Sequence, residues 1–352
     1  MRASLTLEKK RVCVIIVHYA MPTQLFEQLT WISKLPDFAS APIYVVDNSR
    51  LESMASYLRE FPRVELIQPP SNLGYSGGVN FCLINSKVAE HEHALVLGTD
   101  VFPQEHCLSE MLSTAESDES IAIVGCKILD CDTGAIDSEG GYLCFPFGIA
   151  LPRKEISRLN TPSKEFDVAF VGGAIMLIKV PVVRSLGSFD ASFFAYYEEV
   201  DICWRARLAG YRVVCTSSAL AYHTRTGPFS KLPERKLYLS ERNRITSSIK
   251  NLSTPNLFLF IICEAWYAML YFSGAILTDQ PQAVMSYLSG IKWNLVNIRQ
   301  ISANRTQCQA SRVYADSSVL ELHRQVGLRV AFSRLRSMSM LRKKRILQEQ
   351  SH

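Results

Sequence analysis

The chain has 352 residues and a formal net charge of +5, with 48% hydrophobic and 20% charged residues. This composition excludes a disordered chain, a collagen-like repeat and a small disulfide scaffold, and the length suits one large α/β domain with an appendage. The charge excess sits in the tail, where Glu321 to His352 holds eight basic and two acidic residues; the remaining body is close to neutral, which argues against a nucleic-acid partner.

In chain order, Met1 to Arg11 is charged and lacks an apolar core, so no secretory signal is expected and the body is expected to be cytoplasmic. The ten cysteines contain no CxxC pair and read as free thiols. Val12 to Val17 is a β-branched run of the kind buried on both faces. A helix over about Thr23 to Leu35, a strand over Pro42 to Val46, a helix around Leu51 to Glu60 and a strand over Val64 to Ile67 follow. The segment Asn72-Leu-Gly-Tyr-Ser-Gly-Gly78 precedes a helix reaching about Ala89. A strand over Ala94 to Leu97, a helix and a strand over Ile121 to Gly125 complete an alternation that predicts a doubly wound, largely parallel sheet. His91-Glu92-His93 reads as the end of a surface helix, and His106 as a surface residue of the same kind. Residues 130 to 165 read as a loop or small hairpin, Val168 to Lys179 as a strand entered through Gly172-Gly173, and Ser192 to Leu208 as an aromatic stretch turning helical. Arg212 to Cys215 reads as a strand, Ala219 to His223 as an extended segment, and the chain turns helical from Pro233.

The glycines at 74, 77 and 78 do not make a dinucleotide fingerprint, which follows the first strand at a different spacing, and no Walker A loop is present. The acids carry more. Ligands of such sheets bind beyond the carboxyl ends of strands, where Asp47, Asn72 and Asp100 should gather on one rim. Each acid at a strand end either caps the next helix or faces a ligand. Glu198, Glu199 and Asp201 form an acidic knot beside Phe193, Phe194, Tyr196 and Tyr197, and apolar walls make a carboxylate a better base. His223 alone is a structural histidine; converging with Asp100 it becomes a natural ligand for a divalent metal. A diphosphate substrate needs such a cation, and a hydroxyl nucleophile needs a base.

The stretches VCVIIVHY, YVVDNSR, NLGYSGGVN, ALVLGTDV, FVGGAIMLIK, GSFDASFFAYYEEVDICWRARLAGYRV, ALAYHTRTG and YLSERNRI, in this order over roughly residues 12 to 250, resemble the inverting glycosyltransferases of family 2, and most closely their rhamnosyltransferase-like branch. The resemblance implies the GT-A fold, a Rossmann-like, mostly parallel mixed α/β sheet with helices on both faces. It implies transfer of a sugar from a nucleotide-sugar donor to a hydroxyl of a saccharide or lipid-linked saccharide acceptor, with a divalent cation, Mg²⁺ or Mn²⁺. Asp47 then takes the place of the acid contacting the nucleotide base. Asn72, Gly74 and Asn80 match the loop shaping the nucleotide pocket, and Asp100 the metal-binding end of a DxD-type motif. Glu199 matches the catalytic base, with Glu198 not separable from it, while Asp201 and Arg205 orient the base or hold its helix. His223 matches a late metal or diphosphate ligand, and Arg242-Asn243 a recurrent pair whose role stays open. The chain departs from the family pattern at Gly98-Thr99-Asp100, which offers one carboxylate, at Glu199 in place of Asp, and at Ala20 in place of Asn. These departures leave a second reading, a catalytically degenerate module that binds nucleotide-sugar or glycan. A nucleotidyltransferase would need a basic glycine-rich loop near the N-terminus, which is absent.

Residues 1–250 are expected to form the catalytic domain and 251–352 a helical region. Leu257 to Leu277 is apolar and long enough to span a bilayer, with Glu264 at its middle, and reads as a transmembrane, interfacial or packed helix. Leu328, Ala331, Phe332, Leu335 and Met338 recur at helical spacing among basic residues, a pattern suited to an anionic leaflet. Together they predict a chain held at the inner face of the plasma membrane.

Overall fold

The computed structural model describes residues 10–51, 54–153, 164–229, 232–277 and 279–320. The expected basic helix between Leu328 and Lys343 and the charged residues 1–9 lie outside the described residues. The strands are β1 (Lys10–His18), β2 (Ile43–Asp47), β3 (Val64–Ile67), β4 (His91–Gly98), β5 (Val101–Pro103), β6 (Ile121–Asp130), β7 (Ile136–Ser138), β8 (Gly141–Cys144), β9 (Ile149–Pro152), β10 (Glu165–Asp167), β11 (Ile175–Lys179) and β12 (Arg212–His223). The helices are α1 (Pro22–Ser33), α2 (Met54–Tyr57), α3 (Gly74–Leu83), α4 (Ser86–Ala89), α5 (Cys107–Glu116), α6 (Val180–Ser185), α7 (Glu198–Leu208), α8 (Pro233–Asn251), α9 (Thr254–Leu277), α10 (Pro281–Val296), α11 (Ile298–Ala310) and α12 (Ser317–Leu320).

Ten strands form one mixed sheet along the path β10-β12-β6-β11-β4-β1-β2-β3, with β5 on β12 and β7 on β6; β8 and β9 pair as a separate hairpin. The strands β1, β2, β3, β4, β6 and β12 point one way and β5, β7, β10 and β11 the other. The apolar run of β1 is buried on both faces, Cys13, Ile15 and Val17 in one core and Val14 and Ile16 in the other. Helices α3, α6 and α7 seal the first core and α1 and α5 the second. Each fully buried Val, Leu or Ile contributes about 1.5–3 kcal/mol.

Four expectations are corrected. The glycine-rich segment is not a loop ahead of a helix, since α3 begins at Gly74 and runs through Gly77 and Gly78. Its amino end is fixed by docking rather than by propensity: Tyr75 N–H donates to Phe194 O at 2.6 Å. Residues 168 to 174 do not join β11; Val168 pairs with Val213 and Ala169 with Gly141, and Gly172-Gly173 turns the chain into β11. The segments 212–215 and 219–223 are one strand, β12, whose register shifts between Thr216 and Leu220. His91 and His93 lie in β4 and are buried, because this strand begins three residues earlier than its apolar run.

Beyond residue 250 the chain folds back on the sheet domain. Arg305 donates to Ile249 O and Leu252 O, both at 2.6 Å, and Gln309 to Lys250 O at 2.9 Å, so side chains of α11 satisfy the carbonyls that end α8. Val313 and Tyr314 N–H both donate to Leu208 O at the end of α7. In the middle of the apolar α9, Glu264 faces inward. Its oxygens accept from Arg244 of α8 at 2.5 and 2.8 Å and from the Tyr287 hydroxyl of α10 at 2.5 Å.

Candidate functional site

Strand order β4-β1-β2-β3 sets the carboxyl ends of parallel strands side by side, so Asp47, the 72–74 turn and Asp100 line one rim. The Asp47 carboxylate is fully buried and taken up by its own loop. Oδ1 accepts from Ser49 N–H (3.0 Å) and from the Ser49 hydroxyl, and Oδ2 from Leu51 N–H (3.1 Å) and the Gln68 amide (3.3 Å). Asn72, which is exposed, accepts Gly74 N–H at 2.9 Å. Asn48, which the sequence reading passed over, accepts Leu73 N–H (3.1 Å) and donates to Gly74 O (2.9 Å), setting the turn from inside. Asn80 is spent elsewhere: its amide exchanges two hydrogen bonds, 2.7 and 3.0 Å, with the Phe189 backbone.

Asp100 follows β4. Its Oδ2 accepts Gly227 N–H at 2.9 Å and lies 3.3 Å from His223 Nε2 at the end of β12. The other ring nitrogen, Nδ1, stands 2.9 Å from Asp137 of β7, which also pairs with Arg225. Asp137 belongs to no recognised motif, and only the antiparallel return of β7 along β6 brings it here. Burial works against the imidazolium, but the two carboxylates outweigh it and lift the His223 pKa to about 9. Burial likewise opposes the Asp100 charge, and the His223 and Gly227 donors hold its carboxyl below the usual range.

Glu198 and Glu199 open α7, carried by an unusual loop. Phe194 (φ 65°), Tyr196 (φ 67°) and Tyr197 (φ 69°) all take left-handed backbone conformations. Phe194, at ψ −60°, is the centre of a γ-turn closed by Ala195 N–H to Phe193 O at 2.7 Å. Such residues cost on the order of 1–3 kcal/mol each and persist only where surrounding contacts impose them. One contact comes from Gly74, itself left-handed at φ +70°: a Cβ there would fall 2.4 Å from Phe194 O. Others come from Tyr75 N–H, which donates to Phe194 O, and from the Arg242-Asn243 pair of α8, which donates to the loop's carbonyls.

Burial pushes the Glu199 carboxyl up to about 7. Burial, then the neighbouring Glu199 charge, raises Glu198 well above the usual range, and its Oε2 is buried without a hydrogen-bond partner. Gly173 leaves room for Glu199, whose Cδ would lie 3.2 Å from a Cβ at that position. The turn into β11 links the acids: the Tyr75 hydroxyl donates to Gly173 O at 2.7 Å, Gly173 abuts Glu199, and Ala174 O accepts Gly98 N–H at 2.9 Å, two residues before Asp100. Burial and the charges of Glu198, Glu199 and Asp100 raise the phenols of Tyr75 and Tyr196, the latter to about 12. The three separate stretches therefore converge. Asp201 does not join them. Fully buried, it accepts from Arg205 (2.9 Å), Lys250 (3.0 Å), Asn251 (2.9 Å) and Ser247 (3.3 Å), and so ties α7 to α8.

Among the described residues no three His, Cys, Asp or Glu side chains are arranged to hold a metal ion. The reason is geometric: Asp100 and Asp137 lie at opposite nitrogens of the His223 ring. Asp100 and His223 Nε2 nonetheless form an oxygen-and-nitrogen donor pair that fits Mg²⁺ or Mn²⁺ sharing its shell with substrate phosphates. A surface hollow of about 430 Å³, lined by Glu234, Pro281, Gln282, Met285 and Ser286, contains none of these groups.

The outer wall of the site is aromatic and basic. Phe229 packs against Phe194 and Tyr196, with ring centroids 6.4 and 5.5 Å away, and Arg235 and Lys236, both exposed, lie over those same two rings.

The profile of the family described as "Glycosyltransferase like family 2" matches residues 10–245. A curated relative, the low-salt glycan biosynthesis hexosyltransferase Agl10 of Haloferax volcanii, is 28% identical over 242 residues, 67% of this chain and 74% of the relative. The crystallised mannosyltransferase PcManGT from Pyrobaculum calidifontis, in complex with GDP-Man and Mn²⁺, matches with a TM-score of 0.52 at 14% identity, covering 87% of this chain and 86% of that one. The structure of GalNAc-T7 with UDP, GalNAc and Mn²⁺ matches with a TM-score of 0.51 at 13% identity over 70% of this chain, which spans only 52% of that one. At these identities the structural likeness concerns the fold alone.

Proposed function

The chain belongs to glycosyltransferase family 2, and on that footing we propose that it moves a hexosyl group from a nucleoside-diphosphate sugar to an acceptor hydroxyl with inversion at the anomeric carbon. The observation that carries this reading is that Gly173-Ala174 stands between Glu199, which it abuts, and the strand end that carries Asp100, itself 3.3 Å from His223. Glu199 is the base. At the pH where it ionises it takes the acceptor's hydroxyl proton, and the oxygen attacks the anomeric carbon on the face opposite the departing diphosphate. Glu198 keeps its proton and lowers the charge beside the base. The 72–74 turn, shaped by Asn48, borders the nucleotide, and Asp47 braces the loop next to it. A divalent cation, Mg²⁺ or Mn²⁺, would be held by Asp100 and His223 and supplies positive charge against the leaving group. A dTDP-activated rhamnose is the donor suggested by the motifs. The test is a panel of nucleotide-sugars with Mn²⁺ or Mg²⁺, with NMR of the product's anomeric configuration. Transfer with inversion is the expected result. Retention would overturn the mechanism, and donor binding without turnover would favour a degenerate binding module.

We further propose that residues 1–250 act as the catalytic domain at the cytoplasmic face of a membrane, with 251–352 as its membrane-surface region. Helix α9 has a mean hydropathy of 1.6, long and apolar enough to span, yet its inner face is committed to the domain through the Glu264–Arg244 pair. Its outer face exposes Phe258, Ile261, Ile262, Met269, Ile276 and Leu277, a stripe without a charge and an unusual one for a surface bathed in water. This supports a helix lying in the interface rather than crossing it. Arg235 and Lys236 stand beside the catalytic loop, where they suit the phosphate of a lipid-linked acceptor. The protein should pellet with liposomes containing anionic lipid. The combined change Ile262→Glu, Met269→Glu and Ile276→Glu should weaken partitioning on the order of 10-fold or more in a sedimentation assay. Unchanged partitioning would remove α9 from the membrane contact.

A further inference from the structure

Glu198 and Glu199 owe their position to a loop that would not hold its shape alone, and two adjacent residues of α8 supply the grip. Asn243, fully buried, has two amide N–H groups and shares them among three carbonyls: Phe193 O at 3.0 Å, Ala195 O at 2.9 Å and Tyr196 O at 2.6 Å. Those carbonyls bracket the γ-turn at Phe194 and reach the residue next to Tyr197, which precedes the acidic pair. Arg242 adds Nη2 bonds to Ser192 O (2.8 Å) and Phe193 O (2.6 Å). Its Nε–H donates to Asn243 Oδ1 at 2.8 Å, which turns the amide so that its NH₂ side faces the loop. The guanidinium in turn rests 4.4 Å from the Trp293 ring centroid of α10. From the opposite side Tyr75 N–H, at the start of α3, holds Phe194 O at 2.6 Å. The left-handed residues are thus gripped between two helices.

We propose that Arg242 and Asn243 are positioning residues for the transfer step: they impose the left-handed loop that aims the Glu198-Glu199 carboxylates at the acceptor hydroxyl, without touching substrate themselves. This rests on Glu199 being the base. Neither residue bonds the 72–74 turn or the Asp100–His223 pair directly, and the loop reaches that turn only through Phe194 O, so loss of the grip should fall mainly on the chemical step and weigh less on donor binding. Sub-ångström placement matters at a proton-transfer site, where a 1 Å displacement can cost roughly 10²-fold.

The experiment compares Asn243→Ala, Arg242→Gln, Arg242→Lys and Glu199→Gln for kcat, donor KM and calorimetric affinity for the nucleoside diphosphate. Asn243→Ala is expected to lower kcat about 10²-fold while donor KM and nucleotide affinity stay within about threefold. Arg242→Lys, which keeps a donor, should recover part of the activity that Arg242→Gln loses. Wild-type kcat in Asn243→Ala overturns the proposal. If Asn243→Ala loses nucleotide binding along with kcat, Arg242→Gln decides: a fall in kcat with binding intact supports the grip, and an intact kcat overturns it. The two ideas fail separately. An active Glu199→Gln refutes the base, whereas an inert Glu199→Gln beside a fully active Asn243→Ala refutes the grip alone.

Discussion

Glu199→Gln should abolish sugar transfer, with kcat down by about 10²- to 10⁴-fold and nucleotide affinity unchanged, because glutamine keeps the shape and polarity of the side chain but cannot accept a proton. The pH dependence follows from the same group. Burial raises Glu199 to about 7, so below that pH the carboxyl is protonated and cannot serve as a base. Activity should therefore rise with pH through about 7 and level off above it, and the rising limb should be absent from whatever activity Glu199→Gln retains. Glu198 is the internal control. Burial, then the adjacent Glu199 charge, raises its carboxyl well above the usual range and so favours the protonated form, which Glu198→Gln imitates; that variant should lower kcat only a few-fold. Steady-state kinetics from pH 5.5 to 9 separates the two. A dead Glu198→Gln with an active Glu199→Gln would exchange their roles.

The second large effect concerns the fold. Arg244 is fully buried. It donates to Glu241 at 2.8 Å, to Phe147 O at 2.6 Å and to both oxygens of Glu264. Burial opposes its charge, and Glu264 and Glu241 together more than compensate, holding the guanidinium well above its ordinary pKa. Arg244→Ala removes the positive charge that two carboxylates share and should destabilise the protein by about 3–5 kcal/mol, read from denaturant unfolding in mild detergent. Removing the interaction as a set, with Arg244→Met, Glu241→Gln and Glu264→Leu combined, should recover most of that loss, since apolar groups of similar size replace buried ion pairs at little cost. A full loss in the combined variant would mean that the pair does more than neutralise charge.

The parallel half of the fold was legible because β1 and β2 are short apolar, largely β-branched runs buried on both faces, and β4 carries a buried apolar run of its own. The loops after β2, β3 and β4 were legible because their polar residues interrupt those runs. Strand direction was not. Nothing in Ile175 to Lys179 announces that β11 runs against its neighbours, since direction is set by connections rather than by local pattern. The start of α3 was hidden because glycine disfavours helix and the docked Phe194 carbonyl overrides it. Acids were easy to nominate and hard to sort: Glu199 and Asp201 stand two residues apart, yet one faces the site and the other is consumed by Arg205 and Lys250. Asp137 and the task of Arg242-Asn243 depend on contacts between distant segments and left no trace in spacing.

The side chains of Arg305 and Gln309 that close the end of α8 bear on how this enzyme can be dissected. A fragment severed after residue 250 would lack both, along with the carboxylate that neutralises Arg244, and would bare the flank of α8 to solvent one turn from the residues that grip the Glu198-Glu199 loop. What looks in sequence like a detachable anchor is packed onto α8, and a unit meant to keep the proposed site intact should extend past residue 250.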